Sequence, residues 1–382
     1  MKILSVIGAR PQIIKSAALS RAFRNVYKNE IEDIILHTGQ HYDANMSDVF
    51  FAEMDIPKPK YNLGIGSSSH GSQTAAIMEG IEKILLSEKP DYLLVYGDTN
   101  STLAASVAAV KIHIPVAHVE AGLRSFNKKM PEEINRIVCD HSSSLLFSPT
   151  KKGIENLICE GFKTGNSAPF SPDNPGIFHT GDVMYDNSLF YFEIAEKQSL
   201  VLQKYSLEKN NFILVTIHRD FNTDMPENLN GIFAAINEIS KSENRRFIIP
   251  LHPRTSKMLK AVLETSLYKS IISENLITIT EPVSFFDMIM LEKYCSLVMT
   301  DSGGVQKEAF FFKKPCVILR PETEWVELVE NGNAILASAS PDKIKKAYTY
   351  FSANIKKLTF PDIYGNGNAA GEICRIMLGI NR

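Results

Sequence analysis

Short apolar runs alternate with longer segments of helical spacing along most of the chain. In the first half, the apolar runs end in Gly or a polar residue, and their continuous hydrophobicity is typical of strands buried on both faces. They are KILSVIG, DIILHTG, YLLVYGD and PVAHVEA, and the helical segments between them are PQIIKSAALSRAF, GSQTAAIMEGIEKILLSE and NSTLAASVAAVKIH. This βαβ alternation predicts an α/β fold with a doubly wound parallel sheet.

The alternation pauses once and then restarts. The segment KTGNSAPFSPDNPGIF concentrates Gly, Ser, Asn and Pro, which is typical of a loop or a domain boundary. After it come five further strand candidates, FILVTIH, RFIIPLH, LITITEP, SLVMTDSGG and PCVILR. We therefore predict two similar α/β halves, and a length of 382 residues is consistent with two or three domains. The stretch GNAAGEICRIMLGINR predicts a terminal helix that could pack on either half.

The composition argues against several classes of protein. The formal net charge of −2 gives no electrostatic reason to expect nucleic acid or an anionic membrane as a partner. The apolar run before Gly8 is too short for a signal peptide, and no stretch approaches the ~20 apolar residues of a membrane-spanning helix. The five cysteines are scattered without a C-x-x-C pair. We therefore expect neither a metal site nor disulfides, and a cytoplasmic location.

Candidate site residues follow the predicted strands of the first half, where open α/β sheets bind their ligands. After the first strand, Gly8 permits a tight turn into a helix N-terminus, and Arg10 and Lys15 add charges suited to a diphosphate. A structural turn with surface cations is the alternative. After YLLVYG, Asp98 is either a site carboxylate or the N-cap of the helix that begins near Thr99.

The stretch VAHVEAGLRSFNKKMPEEINR places charges in an unusual setting. Glu120 stands at the end of an apolar strand, where a carboxylate is costly to bury unless it is paired. Arg124 or Arg136 could be its partner in a purely structural ion pair. The functional alternative is that Glu120 and Glu132, which lies at the start of a predicted helix, are acid–base groups.

Two strand ends of the second half carry a further set of polar residues. His218 and Arg219 follow the strand FILVT, where a lone His is either a polar cap or a site residue. The sequence TDSGGVQKEA opens a helix after a strand, which predicts an anion cradle, with a generic glycine turn as the alternative. Glu308 lies about one turn further on, where a carboxylate could bind two ribose hydroxyls. The cradle residues are Ser302, Gly303 and Gly304.

The order of these motifs resembles one known family over essentially the whole chain. The motifs are GARPQIIK, TGQHYD, YGDTNST, HVEAGLRS, PEEINR, TIHR, TDSGG followed by QKEA, and ETEW. The family is that of the non-hydrolysing UDP-N-acetylglucosamine 2-epimerases. It implies two Rossmann-like doubly wound domains in a GT-B arrangement with an interdomain active-site cleft. The implied N-terminal domain spans 1–170 plus 365–382, because the C-terminal helix crosses back, and the C-terminal, UDP-binding domain spans 177–364.

The resemblance also implies an activity. C2 of a UDP-activated 2-acetamido sugar is inverted by elimination and re-addition of UDP, without a cofactor or a metal, and the product supplies surface polysaccharide biosynthesis. The sugar nucleotide is the implied small-molecule partner, and the implied assembly is a homodimer. The implied catalytic residues are Asp98, Glu120, Glu132 and His218. The implied substrate-binding residues are Arg10, Lys15, Arg136, Arg219, Ser302, Gly303, Gly304 and Glu308.

The substrate and the competing activities stay open at this point. The particular residues of motifs such as GARPQ and LRSFNKKMPEEINR look most like a branch of the family that includes UDP-2,3-diacetamido-2,3-dideoxy-glucuronate 2-epimerases. The substrate is therefore either that uronic acid nucleotide or UDP-N-acetylglucosamine. The alternative activities are those of a GT-B glycosyltransferase and a hydrolysing 2-epimerase, and a binding regulator without catalysis is a third reading. The full carboxylate set and the GARPQ spelling favour the non-hydrolysing epimerase.

Overall fold

The computed structural model describes residues 1–40, 51, 54–251 and 253–380. The chain divides into two compact units: unit 1 is Met1–Asn187 with Asp362–Arg382, and unit 2 is Ser188–Pro361. Each unit contains one parallel sheet with helices, which confirms the predicted α/β class with two doubly wound sheets. The TGQHYD motif beyond Gln40 and the last residue of RFIIPLH lie outside the described residues.

Unit 1 is built on a seven-stranded sheet with the order β3-β2-β1-β4-β5-β6-β7. The order reverses between β1 and β4, so the segments that leave these strands diverge and open a crevice at their carboxyl ends. The central strands are buried almost throughout, as their continuous apolar runs predict. The strands are β1 (Lys2–Ile7), β2 (Glu32–His37), β3 (Tyr61–Asn62), β4 (Tyr92–Tyr96), β5 (Val116–Val119), β6 (Leu145–Ser148) and β7 (Gly176–His179).

Three helices of unit 1 begin at hydroxyl side chains that accept a hydrogen bond from the N–H three residues further on. These N-caps are Ser69, Thr99 and Thr150. The helix Asn100–Lys111 buries four alanines, and such small side chains allow close packing against the helix His70–Glu88. Among the described residues of unit 1, the helices are Arg10–Asn25, His70–Glu88, Asn100–Lys111, Pro131–Ser142, Lys151–Cys159, Val183–Gln198, which runs into unit 2, and Ala369–Met377.

Unit 2 repeats this plan with a six-stranded sheet in the order β10-β9-β8-β11-β12-β13. The reversal lies between β8 and β11, which are parallel neighbours. The strands are β8 (Phe212–Thr216), β9 (Arg246–Pro250), β10 (Ile277–Thr280), β11 (Leu297–Thr300), β12 (Cys316–Ile318) and β13 (Ala334–Leu336). The helices are Val201–Lys204, Asp220–Thr223, Pro226–Glu243, Pro253–Val262, Thr265–Ser273, Phe285–Tyr294, Gly303–Phe311, Val326–Glu330, Pro341–Asn354 and the 3₁₀ turn Ile355–Lys357.

The division between the units differs from the predicted boundary at residues 170–177. The segment after that loop forms β7, which pairs with β6 in the register Leu145↔Gly176 and therefore belongs to the first sheet. The division falls instead between Asn187 and Ser188, inside a helix. The second crossing lies at Asp362, close to the predicted 365, and the terminal helix packs on the helix Arg10–Asn25. Composition marked the loop correctly, but strand pairing extends unit 1 beyond it.

Asp186 ties the terminal helix to unit 1. It is buried, and its carboxylate accepts hydrogen bonds from the N–H groups of Ala369 (3.0 Å) and Ala370 (2.8 Å), which begin that helix. Burial raises the pKa of Asp186 to about 6, although the two N–H donors oppose the shift. Between its ordinary pKa of 3.8 and this value, the folded state binds the proton more tightly than the unfolded state does.

The free energy of unfolding contributed by Asp186 should consequently fall as the pH rises through this window. We expect Asp186→Asn to remove the dependence. The difference in unfolding free energy, wild type minus variant, should then decrease with rising pH by at most about 1.4 kcal/mol per pH unit. Urea unfolding of both proteins at several pH values measures this difference. Parallel stability curves for the two proteins would contradict the proposed protonation.

None of the described helices is long and apolar enough to cross a membrane. Within the described ranges, no group of three or more His, Cys, Asp and Glu side chains is arranged to hold a metal ion. The five cysteines are free thiols, and four of them are buried.

Candidate active site

Glu120 directly follows β5, and its carboxylate forms an ion pair with the ammonium of Lys15 on the helix Arg10–Asn25. Both side chains are only about one-tenth exposed (13% for Lys15 and 10% for Glu120), so water screens the pair weakly. Glu120 has a φ of +77°, which is uncommon for a residue with a side chain and occurs often at functional sites. Gly97, at the end of β4, makes room for Lys15, since a Cβ there would lie 3.0 Å from Nζ.

A second carboxylate–cation pair lies at the end of β4. Arg136 donates to Asp98 Oδ2 at 2.5 Å and to Glu133 Oε2 at 2.9 Å. Asn135, next to it on the helix Pro131–Ser142, donates to the carbonyl of Asp98 at 2.8 Å. Asp98 is about one-third exposed, with 30% of its side chain accessible, whereas Arg136 is buried. The helix therefore positions a strand-end carboxylate that solvent and small molecules can still reach.

Glu133 has a structural task beside the predicted site residue Glu132. Its two oxygens accept the backbone N–H groups of Ser125 and Phe126, each at 2.9 Å, and fix the loop that follows β5. Burial alone would raise the pKa of Glu133, but these donors and Arg136 outweigh it and lower the pKa. Glu132 is half-buried in the first turn of the same helix, and its carboxylate forms no ion pair or hydrogen bond with the described residues.

Of the two arginines considered as structural partners of Glu120, Arg124 is bound to other carboxylates. Arg124 is buried and binds Glu160 through Nε (2.6 Å) and Nη2 (2.8 Å), and Asp140 through Nη1 (2.7 Å). Arg136 binds Asp98 and Glu133. The N-cap alternative for Asp98 is also wrong, because Thr99 caps the helix Asn100–Lys111. Both carboxylates at the strand ends are thus held by cations that the sequence did not pair with them.

His118 lies inside the sheet rather than at its ligand-binding edge. It is fully buried, with Nε2 2.8 Å from the carbonyl of Gly97 and Nδ1 2.7 Å from Asp140 Oδ1. Because a carbonyl only accepts and a carboxylate accepts when ionised, both ring nitrogens act as donors. Burial lowers the pKa of His118, but the charge and hydrogen bond of Asp140 help to raise it well above its ordinary value. This imidazolium links the ends of β4 and β5.

The backbone donors of the turn after β1 are bound by a side chain of the helix that follows. Gln12 Oε1 accepts the N–H groups of Gly8 (2.9 Å) and Ala9 (3.2 Å), so these donors are already used within the protein. Its Nε2 donates to the carbonyl of Tyr96 at 2.9 Å and joins β1 to β4. Arg10 is exposed at the start of the helix. Gln12 therefore occupies the backbone donors of Gly8 and Ala9, and Arg10 and Lys15 are the cations of this region.

In unit 2, Asp301 orients the segment after β8. This fully buried carboxylate follows β11 and accepts the backbone N–H groups of His218 and Arg219, all at 3.1 Å. Its Oδ1 also lies 3.3 Å from His218 Nδ1, which leaves Nε2 on the exposed side of a half-exposed ring. The pKa of His218 is lowered, first by burial and then by the cations Arg219 and Arg320, while Asp301 opposes the shift.

The predicted cradle forms the N-terminus of the helix Gly303–Phe311. Ser302 is its N-cap and accepts the N–H of Val305. A Cβ at Gly303 would lie 2.2 Å from Glu324 Oε1, so this glycine permits a close approach of the ETEW segment. Gly304 is exposed, and its surroundings stay open to 3.9 Å. The cradle is thus accessible at Gly304, while its other side is closed by Glu324.

Sequence reasoning missed the residues that hold the predicted ones in place. Asp301 sits directly before the cradle in TDSGG, and that position after a strand was a usable signal. Gln12 and Glu133 had no such signal, since an uncharged amide in a helix and the second of two adjacent acids are ordinary. Arg320 follows β12, and its Nη1 lies 3.1 Å from Glu324 Oε2. These positioning residues are Gln12, Glu133, Asp301, Arg320 and Glu324.

The sequence and the structure of the chain are similar to those of known proteins. A family model described as UDP-N-acetylglucosamine 2-epimerase matches residues 24–378. A UDP-2,3-diacetamido-2,3-dideoxy-D-glucuronate 2-epimerase of Pseudomonas aeruginosa is 45% identical, with 99% of each chain covered. A UDP-N-acetylglucosamine 2-epimerase of Methanocaldococcus jannaschii is 42% identical over 99% of each chain. Its crystal structure in complex with UDP-GlcNAc and UDP superposes with a TM-score of 0.84 over 99% of each chain.

Proposed function

The chain belongs to the UDP-N-acetylglucosamine 2-epimerase family, and from this we infer that it inverts C2 of a UDP-activated 2-acetamido sugar. The observation in the molecule that carries the inference is the pair of carboxylates, Asp98 and Glu120, at the ends of the neighbouring strands β4 and β5, each held by its own cation. Inversion requires a proton to leave one face of C2 and another to arrive at the opposite face. Two positioned carboxylates are suited to that task.

The reaction cannot begin with simple deprotonation. No carbonyl adjoins C2 of the sugar, so its hydrogen is barely acidic. Elimination solves this problem: the C2 proton goes to a carboxylate, the C1–oxygen bond breaks, and its electron pair leaves with UDP, which yields a glycal. Re-addition of UDP at C1 and of a proton at the other face of C2 completes the inversion. No oxidant or cofactor is consumed in either direction.

We assign the acid–base work to unit 1. Asp98, Glu120 and Glu132 are the catalytic carboxylates, and Glu132 is the one without an ion pair or hydrogen bond among the described residues. The cations Lys15, Arg10 and Arg136 bind the sugar nucleotide. Lys15 has a second role, since its ion pair holds the carboxylate of Glu120 in place.

We assign nucleotide binding to unit 2. The N–H of Ser302 already donates to Thr300 Oγ1 at 2.9 Å. The diphosphate therefore accepts from the Ser302 hydroxyl, from the N–H groups of Gly303 and Gly304 and from the guanidinium of Arg219. Glu308 accepts hydrogen bonds from the ribose hydroxyls. His218 keeps Nε2 free because Nδ1 faces Asp301. Its lowered pKa makes it neutral before substrate arrives. A bound diphosphate favours the protonated ring, which then stabilises the charge that grows on the departing phosphate.

The proposed substrate class covers two sugar nucleotides. Relatives named for UDP-N-acetylglucosamine and for UDP-2,3-diacetamido-2,3-dideoxy-glucuronate are similarly identical to this chain, at 42% and 45%. The two sugars share the 2-acetamido group and the C1 diphosphate on which the mechanism depends. We further propose a cytoplasmic homodimer that supplies surface polysaccharide biosynthesis.

Proton NMR in deuterated water tests the proposal. Purified protein is incubated with UDP-N-acetylglucosamine and no added cofactor, and we expect deuterium at C2 together with the C2 epimer. If only the 2,3-diacetamido uronic acid nucleotide reacts, the substrate is that sugar and the mechanism stands. If neither nucleotide exchanges its C2 hydrogen, the proposed activity is wrong. Release of free sugar and UDP as the end products would indicate hydrolysis instead.

A further inference from the structure

Glu308 does not extend away from its helix but turns back toward the cradle. A Cβ placed on Gly304 would lie 3.9 Å from Glu308 Oε2 and 3.9 Å from Ser302 Oγ, so the carboxylate lies beside the helix N-terminus. A glutamate side chain on a helix has several rotamers and gains entropy by moving among them. Something must hold this one toward the cradle if it is to bind a ligand there with defined geometry.

A second carboxyl group provides such a contact. Glu292 lies on the helix Phe285–Tyr294, which precedes β11, and Glu308 lies on the helix Gly303–Phe311, which follows it. The two helices pack against each other, and the side chains of the two glutamates are hydrogen-bonded. Glu292 is only 1% exposed, whereas Glu308 is half-buried. Glu292 Oε1 is buried and accepts no hydrogen bond from the described residues.

Two carboxyl groups in direct contact share one proton, because two negative charges side by side repel each other. The more deeply buried group is the costlier one to ionise, so the proton stays on Glu292. Accordingly, the pKa of Glu292 is raised well above its ordinary value, first by burial and then by Glu308. Glu292 is therefore the hydrogen-bond donor, and Glu308 is the charged acceptor that faces the cradle.

We propose that Glu292 is a positioning residue for the nucleoside site: its buried carboxylic acid donates a hydrogen bond to Glu308 and holds that carboxylate where it accepts the hydroxyls of a ribose. This inference rests on the proposed function, in which unit 2 binds UDP. It adds a residue that does not touch the ligand. An apolar side chain would fill the same space at lower cost, so the carboxyl group at this position calls for a role that needs its hydrogen bond.

Discrimination between UDP and 2′-deoxy-UDP tests the proposal. Titration calorimetry gives the dissociation constants of both nucleotides for the wild type, Glu292→Gln and Glu292→Leu. We expect the wild type to favour UDP by about tenfold or more, because the 2′-hydroxyl donates to a charged carboxylate. Glu292→Leu should lose most of this preference while binding 2′-deoxy-UDP as the wild type does. Glu292→Gln keeps a donor of the same shape and should retain the preference.

The outcomes separate a positioning role from general damage and from failure of the function. If Glu292→Leu keeps the wild-type ratio of the UDP and 2′-deoxy-UDP affinities, the proposal is wrong. An equal loss of affinity for both nucleotides also overturns it, since that indicates a merely structural residue. A wild-type protein that binds neither nucleotide contradicts the proposed function itself. Glu308→Gln is the positive control and should lower the same ratio.

A second measurement covers the case in which Glu292→Leu fails to fold. Infrared difference spectra of wild type and Glu292→Gln at mildly alkaline pH report protonated carboxyl groups directly. We expect a carboxylic-acid carbonyl band in the wild type that is absent from Glu292→Gln. If the wild type shows no such band, Glu292 is ionised and cannot donate, and the proposal is wrong.

Discussion

Glu120→Gln is expected to lower turnover by more than about 100-fold, the loss typical of removing a general acid or base. The amide has nearly the same shape and can still accept a hydrogen bond from Lys15, so the local structure should persist. It cannot take up a proton at the pH of the reaction, so C2 of the sugar cannot be deprotonated through this group. The measurement is the rate of epimer formation, with C2 deuterium exchange followed by NMR as a second readout.

The binding of UDP separates a chemical defect from a folding defect in this variant. The proposed diphosphate and ribose ligands lie in unit 2, so the affinity of Glu120→Gln for UDP should stay at the wild-type value. Glu155→Gln is a matched control, because Glu155 is an exposed carboxylate on the helix Lys151–Cys159 whose partner is the surface residue Lys152. It should react at the wild-type rate. Wild-type turnover in Glu120→Gln would remove Glu120 from the mechanism.

Asp140→Asn should give the largest loss of stability, about 3–5 kcal/mol of unfolding free energy. Asp140 is fully buried and accepts from His118 Nδ1 (2.7 Å), Arg124 Nη1 (2.7 Å) and the N–H of Gly122 (3.1 Å). Burial raises the pKa of Asp140, but these cations outweigh it and lower the pKa. Asparagine removes the charge and turns an NH₂ group toward donors, so cationic side chains lose their buried counter-charge.

Denaturant unfolding measures this loss, and two probes locate it. Far-ultraviolet circular dichroism follows both units, whereas the single tryptophan, Trp325, lies in unit 2. We expect the circular dichroism transition of Asp140→Asn to begin at lower denaturant, before the fluorescence changes. Asp342→Asn is the control, since Asp342 is 82% exposed and should change stability by less than about 0.5 kcal/mol. A stability of Asp140→Asn equal to that of this control would rule out a strong buried network.

The strands and their order along the chain could be predicted because their information is local. Continuous apolar runs such as LLVY and ILVT end at glycine or polar residues, and each became a strand of a parallel sheet. The boundary between the units could not be predicted in the same way. β7 is only partly buried, and what assigns it to the first sheet is its pairing with β6 across a long loop. Composition marks a loop but does not report which sheet the next strand joins.

The candidate site likewise has features that the sequence predicted and features that it did not. The sequence predicted which residues stand at strand ends, because ligand-binding residues of α/β sheets lie there. These residues are Asp98, Glu120, His218 and the cradle residues. The identity of their partners was not predicted. Arg124 stands close to Glu120 in sequence but binds Asp140 and Glu160, while Lys15 comes from the helix after β1 to pair with Glu120. Proximity in sequence favoured Arg124, whereas the cation observed beside Glu120 belongs to a helix far away in the sequence, which the fold brings to the end of β5.

The sequence by itself determined the α/β class, the two sheets and the residue types at their carboxyl edges, since each depends on a pattern within one segment. Tertiary structure decided which groups are charged, paired and oriented. His118 became a buried imidazolium and Glu292 a buried acid because helices and strands distant in sequence enclose them. The ionisation of a side chain depends on the water and charges around it, and those are set only when the sheets are assembled.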